Sequence, residues 1–142
     1  MSKSVKLANG ELLECRIIDD PDDDDVPQLS ELLGHKGGIW EFHLEQWRTE
    51  EAKRLGTRFY VASIGADLVA NIMVLSHRGL GLMGHVFTRP EHRRKGICDV
   101  LMDYHMEDWR KHDGDALFLG TGFESSPYRI YERHGYRAVP GR

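Results

Sequence analysis

The chain has 142 residues, of which 40% are apolar and 30% charged, and its formal net charge is -4. This length suits a single domain over residues 1–142, and the acidic balance argues against nucleic acid and anionic membranes as partners. No apolar run approaches the roughly 18 residues of a membrane span, and the N-terminus lacks a signal-peptide segment. Cys15 and Cys98 show no metal-ligand spacing, so we expect reduced thiols, no bound metal and a cytoplasmic location.

The first part of the chain predicts one strand, two helices and then a run of strands. Apolar residues spaced three or four apart indicate the helices, and β-branched runs between turns indicate the strands. The predicted elements are a strand over 12–18, helices over 26–33 and 42–55, and strands over 58–64, 68–75 and 80–88. Short turns at 65–67 and 77–79 join the last three strands, which predicts an antiparallel meander.

An aspartate run precedes the first predicted helix. It fills every position from Asp19 to Asp25 except Pro21. We interpret it as a solvated turn, because negative charge suits the positive end of the helix dipole. Calcium binding is the alternative, but the glycine turn and distal glutamate of a calcium loop are missing.

The chain beyond Pro90 predicts helices that alternate with short strands. The predicted elements are an amphipathic helix over 97–111, a strand over 116–119, a helix over 126–134 and a strand fragment over 136–139. The helix over 97–111 connects two strands in a β-α-β unit, so the sheet turns parallel there. We therefore predict an α/β (α+β) fold with a mixed, mostly antiparallel central sheet flanked by helices.

A basic loop connects the strand over 80–88 to the helix that follows it. The first N–H groups of a helix have no partner inside it and lie beside a partial positive charge, which makes an anion site. Gly96 removes the side chain that would block a close approach, and Arg93, Arg94 and Lys95 add positive charge. The order of strand, basic loop, glycine and helix predicts a diphosphate site, with a solvent-facing basic turn as the alternative.

Residues 93–98, Arg-Arg-Lys-Gly-Ile-Cys, resemble the Arg/Gln-x-x-Gly-x-Gly/Ala signature of the GNAT superfamily of acyl-CoA N-acyltransferases. The resemblance implies acetyl-CoA as cosubstrate, with its pyrophosphate on the loop amides and its pantetheine arm along the end of the strand. The implied contacts are Phe87, Thr88, Arg93, Arg94, Lys95, Gly96, Ile97, Cys98 and Asp99. Cys98 departs from the glycine or alanine that is usual at its position.

Residues 131–136, Tyr-Glu-Arg-His-Gly-Tyr, resemble a second pattern of the same family, Tyr-x-x-x-Gly-Phe/Tyr. The resemblance implies that Tyr131 is the general acid that protonates the departing thiolate. A core tyrosine is the alternative for this position. The family often has an asparagine slightly earlier that contacts the cofactor. Glu124 and Ser125 stand there, and we expect Ser125 to make this contact.

The general base has several candidates. His85 lies on the strand that leads to the implied acyl site and has a suitable ordinary pKa, so we predict it as the base. A structural histidine is the alternative, and Glu41, His43 and His77 are further candidates. Three aromatic residues fall where the family builds its acceptor pocket: Trp40, Phe42 and Trp47. Core packing is the alternative for at least two of the three.

The chain ends shortly after Tyr136, where the family usually adds a final strand pair. The C-terminal strand of the GNAT-like fold is therefore missing from the prediction. We expect either a fragment of a longer protein or a homodimer that covers the open sheet edge.

The resemblance implies an N-acetyltransferase that moves an acetyl group from acetyl-CoA to the primary amine of a small molecule or peptide by direct attack. An acyl-CoA-binding sensor or scaffold without turnover is the alternative. A nucleic-acid binder fits poorly, because the basic residues do not form a broad face.

Overall fold

The fold combines one sheet with helices on both of its faces. The computed structural model describes residues 2–47, 55–112, 114–120 and 126–138. The strands are β1 (Lys3–Lys6), β2 (Leu12–Asp19), β3 (Gly56–Ile64), β4 (Asp67–His77), β5 (Leu80–Thr88) and β6 (Ala116–Phe118). The helices are α1 (Val26–Leu33), α2 (Gly38–Trp47), α3 (Ile97–Lys111) and α4 (Ser126–Arg133), with short 3-10 turns at Gly34–Lys36 and Pro90–His92. Over the described residues, no helix is long and apolar enough to cross a membrane.

The sheet follows chain order from β1 to β6. Each pair from β1 to β5 is antiparallel, and β6 pairs with β5 in parallel after the crossover through α3. A parallel pair needs such a crossover, whereas the antiparallel pairs need only turns. The predicted mixed, mostly antiparallel sheet is confirmed, together with its meander and its β-α-β unit.

Both faces of the sheet are buried, as the alternation in β3 illustrates. Tyr60 and Ala62 pack in one core cluster with Leu101 of α3. Phe59 and Val61 pack in a second cluster with residues of α1 and α2. Because the central strands are covered on both faces, they are apolar at nearly every position.

Helix α2 begins earlier than the predicted helix over 42–55. Trp40 is the reason, because its ring packs edge-on against Phe59 with 6.2 Å between centroids. Its indole N–H donates to Ser30 Oγ at 3.0 Å. This packing stabilises a helical turn that starts at Gly38, although glycine disfavours helix in isolation. Residues 48–54, which the prediction also placed in this helix, lie outside the described residues.

Two elements near the chain ends differ from the prediction. Strand β1 was not predicted, because its sequence Lys-Ser-Val-Lys is mostly polar and it is held by its ladder with β2. The predicted strand over 136–139 is wrong for residues 136–138, which form no strand. The Tyr136 N–H instead donates to the Tyr131 carbonyl at 3.1 Å and closes the end of α4. Residue 139 lies outside the described part.

Strand β5 contains a β-bulge where it pairs with β4. Its register against β4 shifts between Asn71 and Met73, so that Ile72 faces two residues of β5. One of these two is His85, whose φ of +47° is in the left-handed region. A bulge of this kind bends the strand and redirects its side chains.

Strand β6 pairs with only the first part of β5. The pairs join residues 80–82 of β5 to residues 116–118 of β6. Beyond residue 82, the edge of β5 that faces away from β4 has no strand beside it within the described chain. β6 is the last strand on that side of the described sheet, and the homodimer that would cover this edge stays a prediction.

His105 of α3 is fully buried, and both of its ring nitrogens have partners. Nδ1–H donates to the Met102 carbonyl at 2.6 Å, so Nε2 accepts a hydrogen bond from the Tyr136 hydroxyl at 3.1 Å. Burial lowers the pKa of His105 to about 4, because the charged ring would lose its hydration. The ring is therefore neutral in the folded protein at neutral pH.

We predict that His105 makes the fold sensitive to acid. The folded-state pKa lies below the ordinary value of about 6.5, so the unfolded chain binds the proton first and stability is lost as pH falls below that value. Between about pH 7 and 5, this group should account for about 2 kcal/mol of the fall in unfolding free energy. Urea unfolding at both pH values measures the fall, which should be smaller by this amount in His105→Gln. An equal pH dependence in the two proteins would contradict the prediction.

Candidate active site

The loop between β5 and α3 presents a row of backbone N–H groups. Arg94 and Gly96 both have left-handed backbone conformations, with φ of +65° and +78°. Gly96 precedes α3 without a side-chain cap, and the N–H groups of residues 94–99 find no acceptor in the described part of the chain. A Cβ added to Gly96 would meet no atom within 4 Å, so the space beside the glycine is open. The loop therefore has the polarity and the room that a phosphate group requires.

The three cations of this loop differ in what they contact. Lys95 Nζ lies 2.7 Å from Glu11 Oε1, in the turn between β1 and β2. The hydrogen bond from Lys95 lowers the pKa of Glu11. Arg93 and Arg94 are consecutive residues of the turn, and both are exposed. Glu11 thus offsets part of the positive charge that the sequence predicted here, and its distance of 84 residues from Lys95 left no signal in the sequence.

Arg93 ties the loop to the end of β5. Its Nε donates to the Thr88 carbonyl at 3.1 Å, and its guanidinium carbon lies 5.7 Å from the centroid of the Phe87 ring. The His35 ring packs on the same phenyl group, with 4.2 Å between centroids. Phe87 and Thr88 are therefore held next to the loop, as the predicted cofactor contacts require.

The first turn of α3 is fixed by the core and by α4. The Ile97 side chain is buried, so this residue offers only its N–H group to the loop. Asp99 accepts hydrogen bonds from Arg133 Nη2 at 3.0 Å and from His134 Nε2 at 2.8 Å. Burial opposes ionisation of Asp99, but the bonds from His134 and Arg133 outweigh it and lower its pKa. These contacts fix the start of α3 against the end of α4.

Cys98 lies in the same turn and is mostly buried. Burial raises the pKa of its thiol to about 11, and the nearby Asp99 carboxylate adds to the effect. The thiol is therefore protonated at neutral pH and is a poor nucleophile. Its small side chain packs against the core that contains Tyr131.

Tyr131 lies on α4 at the edge of this core. It is 9% exposed, and its ring meets that of Tyr136 edge-on with 6.1 Å between centroids. Burial is the main factor that raises the pKa of Tyr131, and Cys98 would raise it further when its thiol ionises at alkaline pH. Its hydroxyl has no hydrogen-bond partner among the described residues. The position suits both the predicted acid and its alternative, a core tyrosine.

His85 and His43 form a pair between β5 and α2. Nδ1 of His43 lies 2.5 Å from Nε2 of His85, so one of the two nitrogens carries a hydrogen and donates a hydrogen bond to the other. The Trp40 ring stands edge-on to His85, with 5.4 Å between centroids. Burial lowers the pKa of His43, so its ring is neutral near neutral pH. The sequence did not predict this pair, because its members lie 42 residues apart.

Asn71 of β4 forms a hydrogen bond to the bulge of β5. Its Nδ2 donates to the His85 carbonyl at 2.9 Å, whereas its Oδ1 is buried without a partner in the described ranges. A buried acceptor without a partner marks a place where a water molecule or a ligand can donate. Asn71 was not singled out from the sequence, since a lone asparagine in an apolar strand resembles many others.

The remaining candidates lie apart from this arrangement or outside the described residues. Glu41 and His77 have exposed side chains, and His77 ends β4 at the opposite end of that strand from the loop. Trp40 is buried in the core, whereas Phe42 is exposed. Ser125 and the side chain of Trp47 lie outside the described part.

No group of three or more His, Cys, Asp or Glu in the described chain is placed to hold a metal ion.

A pocket of about 420 Å³ opens beside the histidine pair, between α2 and the sheet. Its walls come from α2, β4 and β5, and most of them are apolar. The lining residues are Ile39, His43, Met73, Leu75, Leu82, Met83, Gly84 and His85. The volume is that of a site for a small ligand or a single large side chain.

Comparison with known proteins connects this geometry to a family. Residues 56–138 match the family described as an acetyltransferase (GNAT) domain, which is more than half of the chain. The sequence has no significant match among curated proteins. Members of the matching family use acetyl-CoA, and the resemblance inferred from residues 93–98 and 131–136 is confirmed.

Solved structures share the fold at low sequence identity. The ribosomal-protein-S18-alanine N-acetyltransferase of Escherichia coli is 14% identical, with a TM-score of 0.70 over 89% of this chain and 79% of that chain. An aminoglycoside acetyltransferase from an uncultured soil metagenomic sample is 14% identical, with a TM-score of 0.63 over 90% and 91%. A Bacillus subtilis acetyltransferase in complex with CoA is 21% identical, with a TM-score of 0.64 over 87% and 76%. The chain belongs to the GNAT acetyltransferase domain family and is an acyltransferase.

Proposed function

We propose that this acyltransferase moves an acetyl group from acetyl-CoA directly to the primary amine of a small molecule or peptide. One arrangement carries the proposal. The N–H groups without acceptors at the start of α3 follow the part of β5 that β6 leaves unpaired, and His85, which contacts His43 of α2, lies on the same strand. This order along the chain suits a ligand with a diphosphate at one end and a reactive thioester at the other.

The residues that would hold the cofactor form a continuous stretch. Acetyl-CoA supplies the acetyl group as a thioester, which is activated toward amines. The backbone N–H groups of residues 94–99 would bind the pyrophosphate. Arg93 and Arg94 would add positive charge. Lys95 would add less, because it is already paired with Glu11.

The unpaired edge of β5, up to Phe87 and Thr88, would bind the pantetheine arm and polarise the carbonyl through an N–H group. The contact of Ser125 stays a prediction.

His85 is the proposed general base, with His43 as its partner. An amine must lose a proton as it attacks, and a neutral imidazole accepts one. The lowered pKa of His43 supports this role, because it keeps that ring unprotonated at neutral pH. The short contact between the two rings allows a proton taken up by one to be shared with the other.

Tyr131 is the proposed general acid. Its raised pKa keeps the phenol protonated at neutral and mildly alkaline pH, so that it can donate to the thiolate that leaves. The high pKa of Cys98 supports direct attack by the amine, because the neutral thiol does not favour a covalent enzyme intermediate.

We predict that Gly96→Ala weakens CoA binding by about tenfold or more, because the added methyl enters the space beside the amides and strains a left-handed position. Isothermal titration calorimetry with CoA measures the change. Gly65→Ala is the matched control, since Gly65 in the turn between β3 and β4 has φ of +62° and no atom within 4 Å of an added Cβ. Equal affinity in wild type and Gly96→Ala would contradict the proposed loop, and no heat with wild type would overturn the proposed function.

We predict that Tyr131→Phe lowers kcat by about 100-fold, since the thiolate then leaves without its proton donor, while CoA affinity is retained. Thiol release with a panel of primary amines measures kcat. Tyr136→Phe removes a neighbouring phenol that His105 engages, and it should reduce stability rather than kcat. Wild-type kcat in Tyr131→Phe would assign this tyrosine to the core alone. CoA binding with no turnover of any amine would favour the sensor or scaffold alternative.

We predict that kcat falls at acidic pH, because a protonated imidazole at His85 can no longer accept the proton of the amine. Burial lowers the pKa of its partner His43, so that ring stays neutral to a pH below the ordinary value of about 6.5. His85→Gln should reduce kcat at about pH 8 by about 100-fold and remove this acid limb. His77→Gln, in an exposed histidine at the far end of β4, should leave the profile unchanged. An acid limb that survives in His85→Gln would assign the base to another group.

A further inference from the structure

The pocket beside the histidine pair has an apolar wall and no carboxylate among its described lining. Six of its eight lining residues are aliphatic, methionine or glycine, and the two polar ones are the histidines. His85 lies at the bulge of β5, and His43 of α2 contacts it, so the two polar groups are adjacent. A bound molecule therefore meets polar groups at one end and hydrocarbon elsewhere.

The mouth of this pocket exposes large apolar side chains to water. Ile39 of α2 is 65% exposed and Leu82 of β5 is 52% exposed. The apolar surface continues onto Phe118, which is the register partner of Leu82 in β6. Exposed apolar surface that adjoins a pocket indicates an apolar ligand, because its burial on binding is favourable.

The described lining also disfavours a polycation. Several ammonium groups in one site need carboxylates near them, since each buried charge must be paired. The acidic residues of α2 in the described chain, Glu41 and Glu45, are each two positions from His43, which places them on other faces of the helix. A single amino group, by contrast, has the two histidine rings as polar neighbours.

We propose that the acceptor is an apolar monoamine, in which one primary amino group is carried by an aliphatic or aromatic body that this pocket binds. The inference rests on the proposed function and specifies its substrate class. The amino group lies toward His43 and His85, and the hydrocarbon body contacts Ile39 and Leu82. A free amine and a peptide whose first side chain is apolar share this chemistry, so the experiment distinguishes the two sources.

Steady-state kcat/KM for acetyl transfer, with CoA release as the signal, tests the inference. The free amines are 2-phenylethylamine and hexylamine, compared with ethanolamine and spermidine. The peptides are Leu-Ala-Ala-amide and Asp-Ala-Ala-amide. We expect an advantage of about tenfold or more for the apolar member of each comparison, mainly through KM. A higher kcat/KM for the free amines would identify a free amine as the acceptor, and a higher value for the peptides would identify a peptide.

Leu82→Asp and Leu80→Asp are matched variants. Both leucines are on β5 two residues apart, and they are 52% and 54% exposed, but only Leu82 lines the pocket. Leu82→Asp should reduce kcat/KM for 2-phenylethylamine by about tenfold and raise it for spermidine, with CoA affinity unchanged. Leu80→Asp should change neither the kcat/KM for 2-phenylethylamine nor that for spermidine.

The outcomes separate the inference from the proposed function. Turnover of spermidine or ethanolamine as efficient as that of 2-phenylethylamine would overturn the inference and leave the acetyltransferase proposal standing. Equal effects of Leu82→Asp and Leu80→Asp would also overturn it, because the pocket would then have no role in selectivity. Turnover of no amine by a protein that binds CoA would overturn both.

Discussion

The backbone N–H groups at the start of α3 are the constraint on which the site depends. A helix begins with donors that its own ladder cannot satisfy, and most proteins cap them with a side chain. Here no side chain of the described residues caps them, and the left-handed Arg94 and Gly96 shape the turn that carries them. Arg93 attaches this turn to β5, and the contacts of Asp99 attach it to α4. An anion is the partner that such an arrangement favours.

Strand β5 connects this anion site to the rest of the chemistry. Its first residues pair with β6, whereas its later residues have no strand on that side within the described chain, which leaves one edge of β5 open beside the loop. The bulge at His85 lies within this stretch and brings the residue next to His43 of α2. In the proposed mechanism, this one strand would provide an edge for the cofactor, a base for the acceptor and a wall of the acceptor pocket. The order of these features along β5 would then set the direction in which both substrates bind.

The sequence predicted those parts of the structure that depend on local pattern. The bounds of α1, α3 and β5 agree with the prediction, because apolar spacing, Pro90 and Gly96 mark them locally. The early start of α2 was not predicted, because Trp40 stabilises it through contacts with Phe59 and Ser30. The strand predicted over 136–139 is wrong for residues 136–138, because the Tyr136 N–H bonds to the Tyr131 carbonyl and closes α4 instead of joining the sheet.

The site shows the same division between local and distant information. Gly96 and Tyr131 could be proposed from the sequence because each belongs to a short motif. The pairing of His85 with His43 and of Lys95 with Glu11 joins residues far apart in the chain, and no spacing in the sequence encodes it.

The most direct test of the central claim follows individual backbone amides during a titration with CoA. Heteronuclear NMR of the full chain, labelled with nitrogen-15, resolves the N–H groups of residues 94–99 from those of the sheet. We expect these amides to shift the most, with Gly96 and its helical neighbours moving downfield as they gain a phosphate acceptor. Saturable binding that perturbs other amides and leaves residues 94–99 unchanged would contradict it.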